Sequence, residues 1–212
     1  GLLKFAKASD VSKNGSILAT SNTFDTNETN VTVYRLKDGH YVYSETLTAP
    51  GGETTYGTSV SVSEDGTFIA VGTPGQDLSN ANAGVVYVYK QTNGAYSLNQ
   101  TLRTPEQGAE DLFGSALEFD GGTLVVATSK GVGAVHIFNN IDGTLLYGEK
   151  FSYYADSTVD TFGDNFVVRN NHITLALTDL QLLGTGVGTV LDYRRGDTNG
   201  WRKIRTPHDT VD

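Results

Sequence analysis

The chain of 212 residues carries 15 basic and 24 acidic side chains, a formal net charge of −9, and it contains neither Cys nor Met. The lack of Cys excludes disulfide scaffolds, thiolate zinc sites and cysteine nucleophiles. No segment approaches the roughly 18 consecutive apolar residues of a membrane helix, and an acidic chain is poorly suited to nucleic acid or to an anionic membrane. We therefore expect no nucleic-acid partner and no membrane insertion. Because the initiator Met is missing as well, we expect a processed product or a piece of a longer protein.

A repeat of about 50 residues runs through the chain. Each unit opens on a similar motif, and the four are FAKASDVSKNG (5–15), YGTSVSVSEDG (56–66), FGSALEFDGG (113–122) and FGDNFVVRNN (162–171). A second β-rich segment follows each motif. A third ends in an aromatic residue, and these aromatics are Tyr34, Tyr89, Phe138 and Tyr193. A fourth β-rich segment completes each unit, and four strands in about 50 residues is the size of a propeller blade.

The turns between these segments support that interpretation. Dipeptides of Asn, Asp and Gly separate the first and second segments at 14–15, 65–66, 121–122 and 170–171, and the third and fourth at 38–39, 93–94, 142–143 and 199–200. Such residues tolerate the positive φ of type I′ hairpins. The sequence therefore predicts an all-β fold, a β-propeller segment of four four-stranded antiparallel blades. We place the blades at about 1–50, 51–105, 106–152 and 153–207, with 208–212 starting a further blade.

The repeat resembles the FG-GAP repeat, the blade unit of integrin-α-like β-propellers. The family pattern is Phe-Gly, a Gly-containing turn, and an apolar run that ends in Gly-Ala-Pro. The second unit matches best, with Tyr56-Gly57 followed by Val71-Gly72-Thr73-Pro74. The third and fourth units keep Phe-Gly at 113–114 and 162–163, whereas the first has Phe5-Ala6. The resemblance implies a propeller of about seven blades, with about three blades outside this chain.

An open arc of four blades would leave one face of each end blade without a neighbour. We expect aromatic residues such as Phe5 and Tyr193 to be exposed on those faces. Exposed packing faces drive association in repeat proteins that lack their caps. Residues 1–212 alone are therefore expected to aggregate, oligomerise or melt poorly.

Calcium-binding members of the family carry alternating carboxylates in the loop between the first and second strands, and these converge on the cation. The corresponding turns here are SKNGS, SEDGT, FDGGT and RNNHI, which are short and lack three alternating carboxylates. The usual calcium loop of the family is therefore absent. We expect no metal site and no cofactor, with calcium as the alternative that the resemblance leaves open.

Aromatic residues at repeated positions predict packing between blades rather than a sugar-stacking platform. One position holds Tyr34, Tyr89, Phe138 and Tyr193, and another holds Phe5, Tyr56, Phe113 and Phe162. Trp201 has no counterpart and lies among basic residues, so a partner contact and a surface cluster both remain open. His136 alternates with Val135 and Ile137, which favours a packed sheet residue over a catalytic base.

The long loops form the predicted binding surface. In a meander the first and third turns lie at one end of the blade, whereas the second loops and the inter-blade connections lie at the other. These longer segments carry most of the acidic excess, and loops on a rigid scaffold commonly bind partners. The best binding candidates on this long-loop face are Glu106, Glu110, Asp111, Asp156 and Asp160.

Four Asn-x-Ser/Thr sequons fit a secreted glycoprotein. Asn14 lies within a predicted tight turn, which leaves Asn27, Asn30 and Asn99 as the candidates for N-glycosylation.

Together these features predict a non-catalytic, extracellular or cell-surface module of the adhesion, scaffold or filament kind. Its expected partners are proteins or polysaccharides, which it contacts through the long-loop face, together with further blades of the same propeller. Because no nucleophile motif is present and no carboxylate pair is singled out, we expect no enzymatic activity. The alternative is a propeller hydrolase that acts on glycans or lipids, or a propeller accessory domain of a larger enzyme.

Overall fold

A computed structural model describes residues 4–23, 29–51, 53–76, 82–105, 111–129, 133–152, 166–182, 185–196 and 200–204. Sixteen strands form four antiparallel sheets, and each sheet contains four strands in chain order. These ranges contain no helix, and therefore none that is long and apolar enough to cross a membrane. The predicted fold class is confirmed.

The four sheets are the blades of a propeller segment. Blade 1 contains β1 (Lys4–Val11), β2 (Ile17–Thr23), β3 (Thr29–Lys37) and β4 (His40–Thr48). Blade 2 contains β5 (Ser59–Val62), β6 (Phe68–Thr73), β7 (Val85–Thr92) and β8 (Ala95–Leu102). Blade 3 contains β9 (Leu117–Asp120), β10 (Thr123–Thr128), β11 (Ala134–Ile141) and β12 (Thr144–Phe151). Blade 4 contains β13 (Phe166–Arg169), β14 (His172–Leu182), β15 (Thr185–Arg195) and β16 (Trp201–Ile204).

Most of the short hairpins have the expected backbone. Within the described ranges, both central residues have positive φ at 38–39, 93–94, 121–122, 142–143 and 170–171, as a type I′ turn requires. At 14–15 and 65–66 only the glycine has positive φ. There the side chain closes the turn instead; for example, Asp65 Oδ1 accepts a hydrogen bond from the Thr67 amide at 2.9 Å. This local hydrogen bond explains the different turn type.

Adjacent blades pack face to face through alternating side chains. In β6, Ile69 and Val71 pack in the core between blades 1 and 2, whereas Phe68 and Ala70 pack in the core between blades 2 and 3. All six residues of this strand are buried. A strand with a blade on either side is therefore apolar throughout, which explains the continuous apolar runs in the middle of each repeat.

The repeated aromatic positions lie between blades, as predicted. Tyr89 and Phe138 are buried, as are Tyr56 and Phe113 at the other repeated position. Tyr34 is half-buried because its side chain lies on the face of blade 1 that points away from blade 2. The side chains at positions 5 and 162 lie outside the part of the structure that can be described.

Two expectations about blade 4 are wrong. Tyr193 is buried between blades 3 and 4, where its ring stacks on Phe151 with centroids 4.4 Å apart. It does not lie on an exposed end face, because its side chain points back toward blade 3. Trp201 is also buried in this core, with its ring edge-to-face against Phe151. It therefore belongs neither to a partner contact nor to a surface cluster.

The Phe-Gly glycine lies directly against a glycine of the preceding blade. Gly114 has a φ of +90°, and its carbonyl accepts a hydrogen bond of 2.7 Å from the hydroxyl of Ser59. A Cβ atom on Gly72 would lie 2.1 Å from that carbonyl oxygen. Gly72 stands at the Gly of the Gly-Ala-Pro pattern, so the two parts of the repeat meet across a blade interface.

Candidate functional site

The inner strands β1, β5, β9 and β13 lie next to one another around the axis of the arc. They line a cavity of about 520 Å³. Its charged and amide-bearing lining residues are Asp10, Lys13, Glu64, Glu118, Asp120, Arg169 and Asn170. Several of these lie at or next to the short turns that follow the inner strands, so the cavity lies toward the short-turn end of the blades.

Asp10 joins blade 1 to blade 2. Its Oδ2 accepts hydrogen bonds from the Val62 amide at 2.7 Å and from the Ser61 hydroxyl at 2.9 Å. Its Oδ1 accepts one from the Val11 amide at 2.8 Å. Both carboxylate oxygens are therefore occupied, and the residue acts as a connection between the two inner strands.

The same connection recurs at the next two blade interfaces. Ser61 Oγ accepts the Phe119 amide of blade 3 at 3.0 Å, and Glu118 Oε2 accepts the Val168 amide of blade 4 at 2.8 Å. The repeat position held by Asp10, Ser61 and Glu118 thus supplies an acceptor to the following blade. In blade 4 that position is Val167, which has no acceptor.

Glu118 is a half-buried carboxylate that lines the cavity. Burial raises its pKa, although the Val168 amide and the guanidinium of Arg169 act in the opposite direction. The second carboxylate oxygen, Oε1, forms an ion pair with Arg169. Glu118 therefore has both oxygens engaged and holds Arg169 at the side of the cavity.

The second cation of the cavity is also paired. Lys13 Nζ lies 2.6 Å from Glu64 Oε1, and this hydrogen bond is the main cause that raises the pKa of Lys13. Because the lysine is largely exposed, the pair contributes little to stability. It nevertheless neutralises the lysine at the mouth of the cavity.

Asp120 differs from the other lining carboxylates. Its side chain is half-buried, and no group in the described part of the chain donates a hydrogen bond to it. Lys13 is close enough to interact with it electrostatically. A carboxylate with free lone pairs beside a cation can accept a hydrogen bond from a ligand, or a proton during a reaction.

The predicted binding residues of the long-loop face lie elsewhere. Asp111 is half-buried in the connection that leads to Phe113. Glu106, Glu110, Asp156 and Asp160 lie outside the described residues, so they stay predictions. The cavity at the other end of the blades was not predicted. Its signal in the sequence is a polar residue at the repeat position of Asp10 in three of the four units, which the alignment of the units could have revealed.

The candidate glycosylation sites differ in exposure. Asn99 is exposed on β8. Asn30 is half-buried, and its side-chain oxygen accepts a hydrogen bond from Asn22 at 3.2 Å. Asn27 lies outside the described residues. Asn99 is therefore the accessible candidate of the two that the structure describes.

His136 packs as expected. Its ring is buried and lies edge-to-face against Phe113, with centroids 5.5 Å apart. Among the residues that the structure describes, no three Asp, Glu or His side chains lie close enough together to hold a metal ion.

The comparisons with known proteins support the propeller fold. The family model of the FG-GAP repeat matches residues 43–89, from β4 of blade 1 to β7 of blade 2. This chain contains an FG-GAP repeat. The match spans the region in which Tyr56-Gly57 packs against blade 1, and it includes Gly72. A search of curated proteins gives no significant match.

Several similar solved structures belong to enzymes. A provisionally assigned 6-phosphogluconolactonase from Bacteroides uniformis has a TM-score of 0.60 and 15% identity over 98% of this chain and 54% of its own. The β-propeller domain of the Trilobed protease from Pyrococcus furiosus has a TM-score of 0.58 and 13% identity over 97% and 58%. The periplasmic gluconolactonase of Pseudomonas aeruginosa has a TM-score of 0.56 and 14% identity over 93% and 55%. The chain thus spans slightly more than half the length of each of these three proteins.

These structures correct one expectation from the sequence. The absence of a catalytic motif led to the prediction that the protein is not an enzyme, and the similar structures contradict it because most of them are enzymes. Identities this low establish the fold alone. A propeller assembles its site from residues of separate blades, and no short sequence motif spans such a site.

Proposed function

We propose that this FG-GAP segment is the propeller of a hydrolytic enzyme and that its inner-strand cavity binds a small polar substrate. The observation that carries the proposal is Asp120, a cavity carboxylate without a hydrogen-bond donor in the described structure. Asp10 and Glu118, by contrast, are occupied by blade connections. The gluconolactonase and the protease propeller among the similar structures support a hydrolytic role.

The charges of the cavity favour a neutral, hydroxyl-rich substrate such as a sugar lactone. Four carboxylates and two cations line the cavity, and each cation is already paired with a carboxylate. A phosphorylated or otherwise anionic substrate would meet unfavourable charge there. In this proposal Asp120 accepts a hydrogen bond from a substrate hydroxyl, or the proton of an attacking water.

The test is lactone hydrolysis and binding by the protein and two variants. Hydrolysis of glucono-1,5-lactone is followed by pH-stat titration, and binding of gluconate and of neutral sugars is followed by calorimetry. We expect Asp120→Asn to abolish hydrolysis or weaken binding several-fold, whereas Asp142→Asn in a distant hairpin should behave as the unmodified protein. Equal behaviour of all three proteins, or the absence of both hydrolysis and binding, would contradict the proposal.

We also propose that the protein is extracellular. The FG-GAP repeat supports this location, and Asn99 offers an exposed sequon. The test is a shift in mass of the natively produced protein after endoglycosidase treatment, with Asn99→Gln as the matched variant. Retention of the protein inside the cell would contradict the location.

The acidic long-loop face is proposed as a surface for protein or polysaccharide partners. The support is the half-exposed Asp111 together with the concentration of acidic residues in the connections. Charge reversal at Glu106, Glu110, Asp111, Asp156 and Asp160 should weaken partner binding and its salt dependence. Changes at Asp38 and Asp142, at the other end of the blades, are the control. Equal effects from both ends would contradict this assignment.

A further inference from the structure

Asp120 and Arg169 occupy the same position in two neighbouring blades, the last residue of the inner strand before its hairpin turn. In blades 1 and 2 this position holds a serine whose hydroxyl closes the turn. Ser12 Oγ accepts a hydrogen bond from the Ile17 amide at 3.0 Å, and Ser63 makes the equivalent contact in blade 2. In those two blades the side chain at this position therefore has a structural role.

Blades 3 and 4 do not need that side chain to close the turn. Their turns, 121–122 and 170–171, have only two central residues, and both residues of each turn have positive φ, so the backbone closes the hairpin. Asp120 and Arg169 instead line the cavity, and both act electrostatically on Lys13. Because β9 and β13 are neighbours, a carboxylate and a guanidinium are brought together at one side of the cavity.

The guanidinium of Arg169 is held by one of its terminal nitrogens. Nη1 donates to Glu118 Oε1 and, at 2.7 Å, to the carbonyl oxygen of Val168. In the part of the chain that the structure describes, no group accepts a hydrogen bond from Nη2 or Nε. The side chain of Arg169 is 65% exposed, so this second edge of the guanidinium is accessible to a ligand. Its N–H groups form a planar fork with a fixed direction.

The ion pair determines which ligand group this fork favours. Glu118 offsets the charge of Arg169, so the free edge offers directed donors without a net positive charge. An anionic group gains little there, whereas a neutral acceptor is bound without a charge penalty. A carbonyl oxygen that becomes negative during a reaction gains the most, because fixed donors stabilise developing charge.

We infer that Arg169 is a catalytic residue of the proposed hydrolysis, with Nη2 and Nε donating to the carbonyl oxygen of a lactone on the side of the cavity that holds Asp120. Glu118 is a positioning residue, because it acts by holding Nη1. The inference rests on the proposed function, and it names an ester-type carbonyl as the group that the cavity recognises.

The reaction step balances with these residues and water. The water oxygen attacks the carbonyl carbon while Asp120 takes one of the water protons. The electron pair of the carbonyl bond moves to its oxygen, whose negative charge lies against the Arg169 fork. When the intermediate collapses, the carbonyl re-forms and the bond to the ring oxygen breaks, and that oxygen takes the proton from Asp120. The product is a hydroxy acid, whose carboxyl group releases the proton that a pH-stat titrates.

The first test measures kcat and KM of the full chain for glucono-1,5-lactone, after subtraction of spontaneous hydrolysis. We expect Arg169→Ala to lower kcat by about 100-fold with a smaller change in KM, because the contact strengthens as the oxyanion forms. Guanidinium ion at millimolar concentration should restore part of the rate of Arg169→Ala and none of that of Asp120→Asn. Arg202→Ala is the matched control, because Arg202 is an exposed arginine on β16.

The second test measures binding of methyl glucoside, which has the hydroxyl groups of the sugar but no carbonyl. Calorimetry should give the same affinity for Arg169→Ala as for the unmodified protein, whereas Asp120→Asn should bind several-fold more weakly.

A third variant tests the positioning role of Glu118. The oxygen of Glu118→Gln can still accept the Val168 amide, but its NH2 group then faces Nη1 and cannot accept from it. We expect this variant to remain folded in a thermal melt, to lose kcat by a smaller factor than Arg169→Ala, and to bind methyl glucoside normally. A kcat equal to that of the unmodified protein would contradict the role of Glu118.

The outcomes separate this inference from the proposed function. If Arg169→Ala hydrolyses the lactone as fast as the unmodified protein, the role of Arg169 is wrong and that of Asp120 stands. If Arg169→Ala also loses methyl glucoside, the residue binds hydroxyl groups and the inference is wrong. Binding of methyl glucoside by the unmodified protein without lactone hydrolysis would overturn the inference but not the binding cavity. Absence of both would overturn both.

Discussion

The carboxylate of Asp10 accepts a hydrogen bond from the hydroxyl of Ser61, 2.9 Å away on the next blade. The oxygen of that hydroxyl accepts the amide of Phe119 on the blade after it, at 3.0 Å. Two short side chains thus link three inner strands in series. The link lies beside the cavity, so the arrangement that joins the blades also fixes the shape of the candidate site.

Removal of the Asp10 carboxylate should loosen the first blade interface. We expect Asp10→Ala to lower the free energy of unfolding by about 1–3 kcal/mol, because the Val62 amide and the Ser61 hydroxyl lose their acceptor. Asp10→Asn should cost less, since an amide oxygen in the place of Oδ2 can still accept both hydrogen bonds from blade 2, and only the Val11 amide loses its acceptor. The measurement is urea denaturation, with Asp38→Asn in a type I′ turn as the control. Identical stability of the Ala and Asn variants would contradict the assigned role.

The contact between Gly72 and Gly114 gives a second prediction. Gly72→Ala places a methyl group against the Gly114 carbonyl, and such overpacking should destabilise the chain by about 1–3 kcal/mol. Gly200→Ala is the matched control, because Gly200 has neither a positive φ nor a neighbour within 4 Å of an added Cβ. Thermal melting of both variants compares the two positions. If Gly72→Ala is as stable as the control, the close contact with the Gly114 carbonyl is not the reason for a glycine at position 72.

The sequence was sufficient for the fold because the repeat encodes it several times over. Four copies of an aromatic position and paired turn residues fixed the strand count, and the buried Tyr89 and Phe138 agree with it. Successive side chains of a strand point to opposite faces of the blade, and the sequence does not say which face of an end blade has a neighbour. Tyr193 was therefore predicted on the exposed face, whereas it lies between blades 3 and 4. The cavity was not predicted because Asp10 and Asp120 are far apart in the chain. They line one cavity only because the inner strands lie next to one another around the axis.

Calcium removal should leave the fold intact. The four turns between first and second strands lack the alternating carboxylates of a calcium loop, and two of them hold no carboxylate at all. We therefore expect the melting temperature to be the same with a chelator as with added calcium. A fall of about 10 °C on chelation, equivalent to about 3 kcal/mol for a chain of this size, would contradict this expectation.

The protonation of Glu118 should be visible in the pH dependence of stability. Burial raises the pKa of this carboxyl above its ordinary value of 4.5, so the folded chain binds its proton more tightly than the unfolded chain does. The stabilisation from this group is complete below pH 4.5, and it is lost as the pH rises through the higher pKa of the folded state.

Glu118→Gln removes this titration but keeps an oxygen for the Val168 amide. The stability of the variant relative to the unmodified protein should therefore increase as the pH rises above 4.5. The measurement is a series of urea denaturation curves from about pH 4 to about pH 7, a range that begins near the ordinary carboxyl pKa and extends above it. A difference that is constant across the series would show that the ion pair with Arg169 cancels the effect of burial.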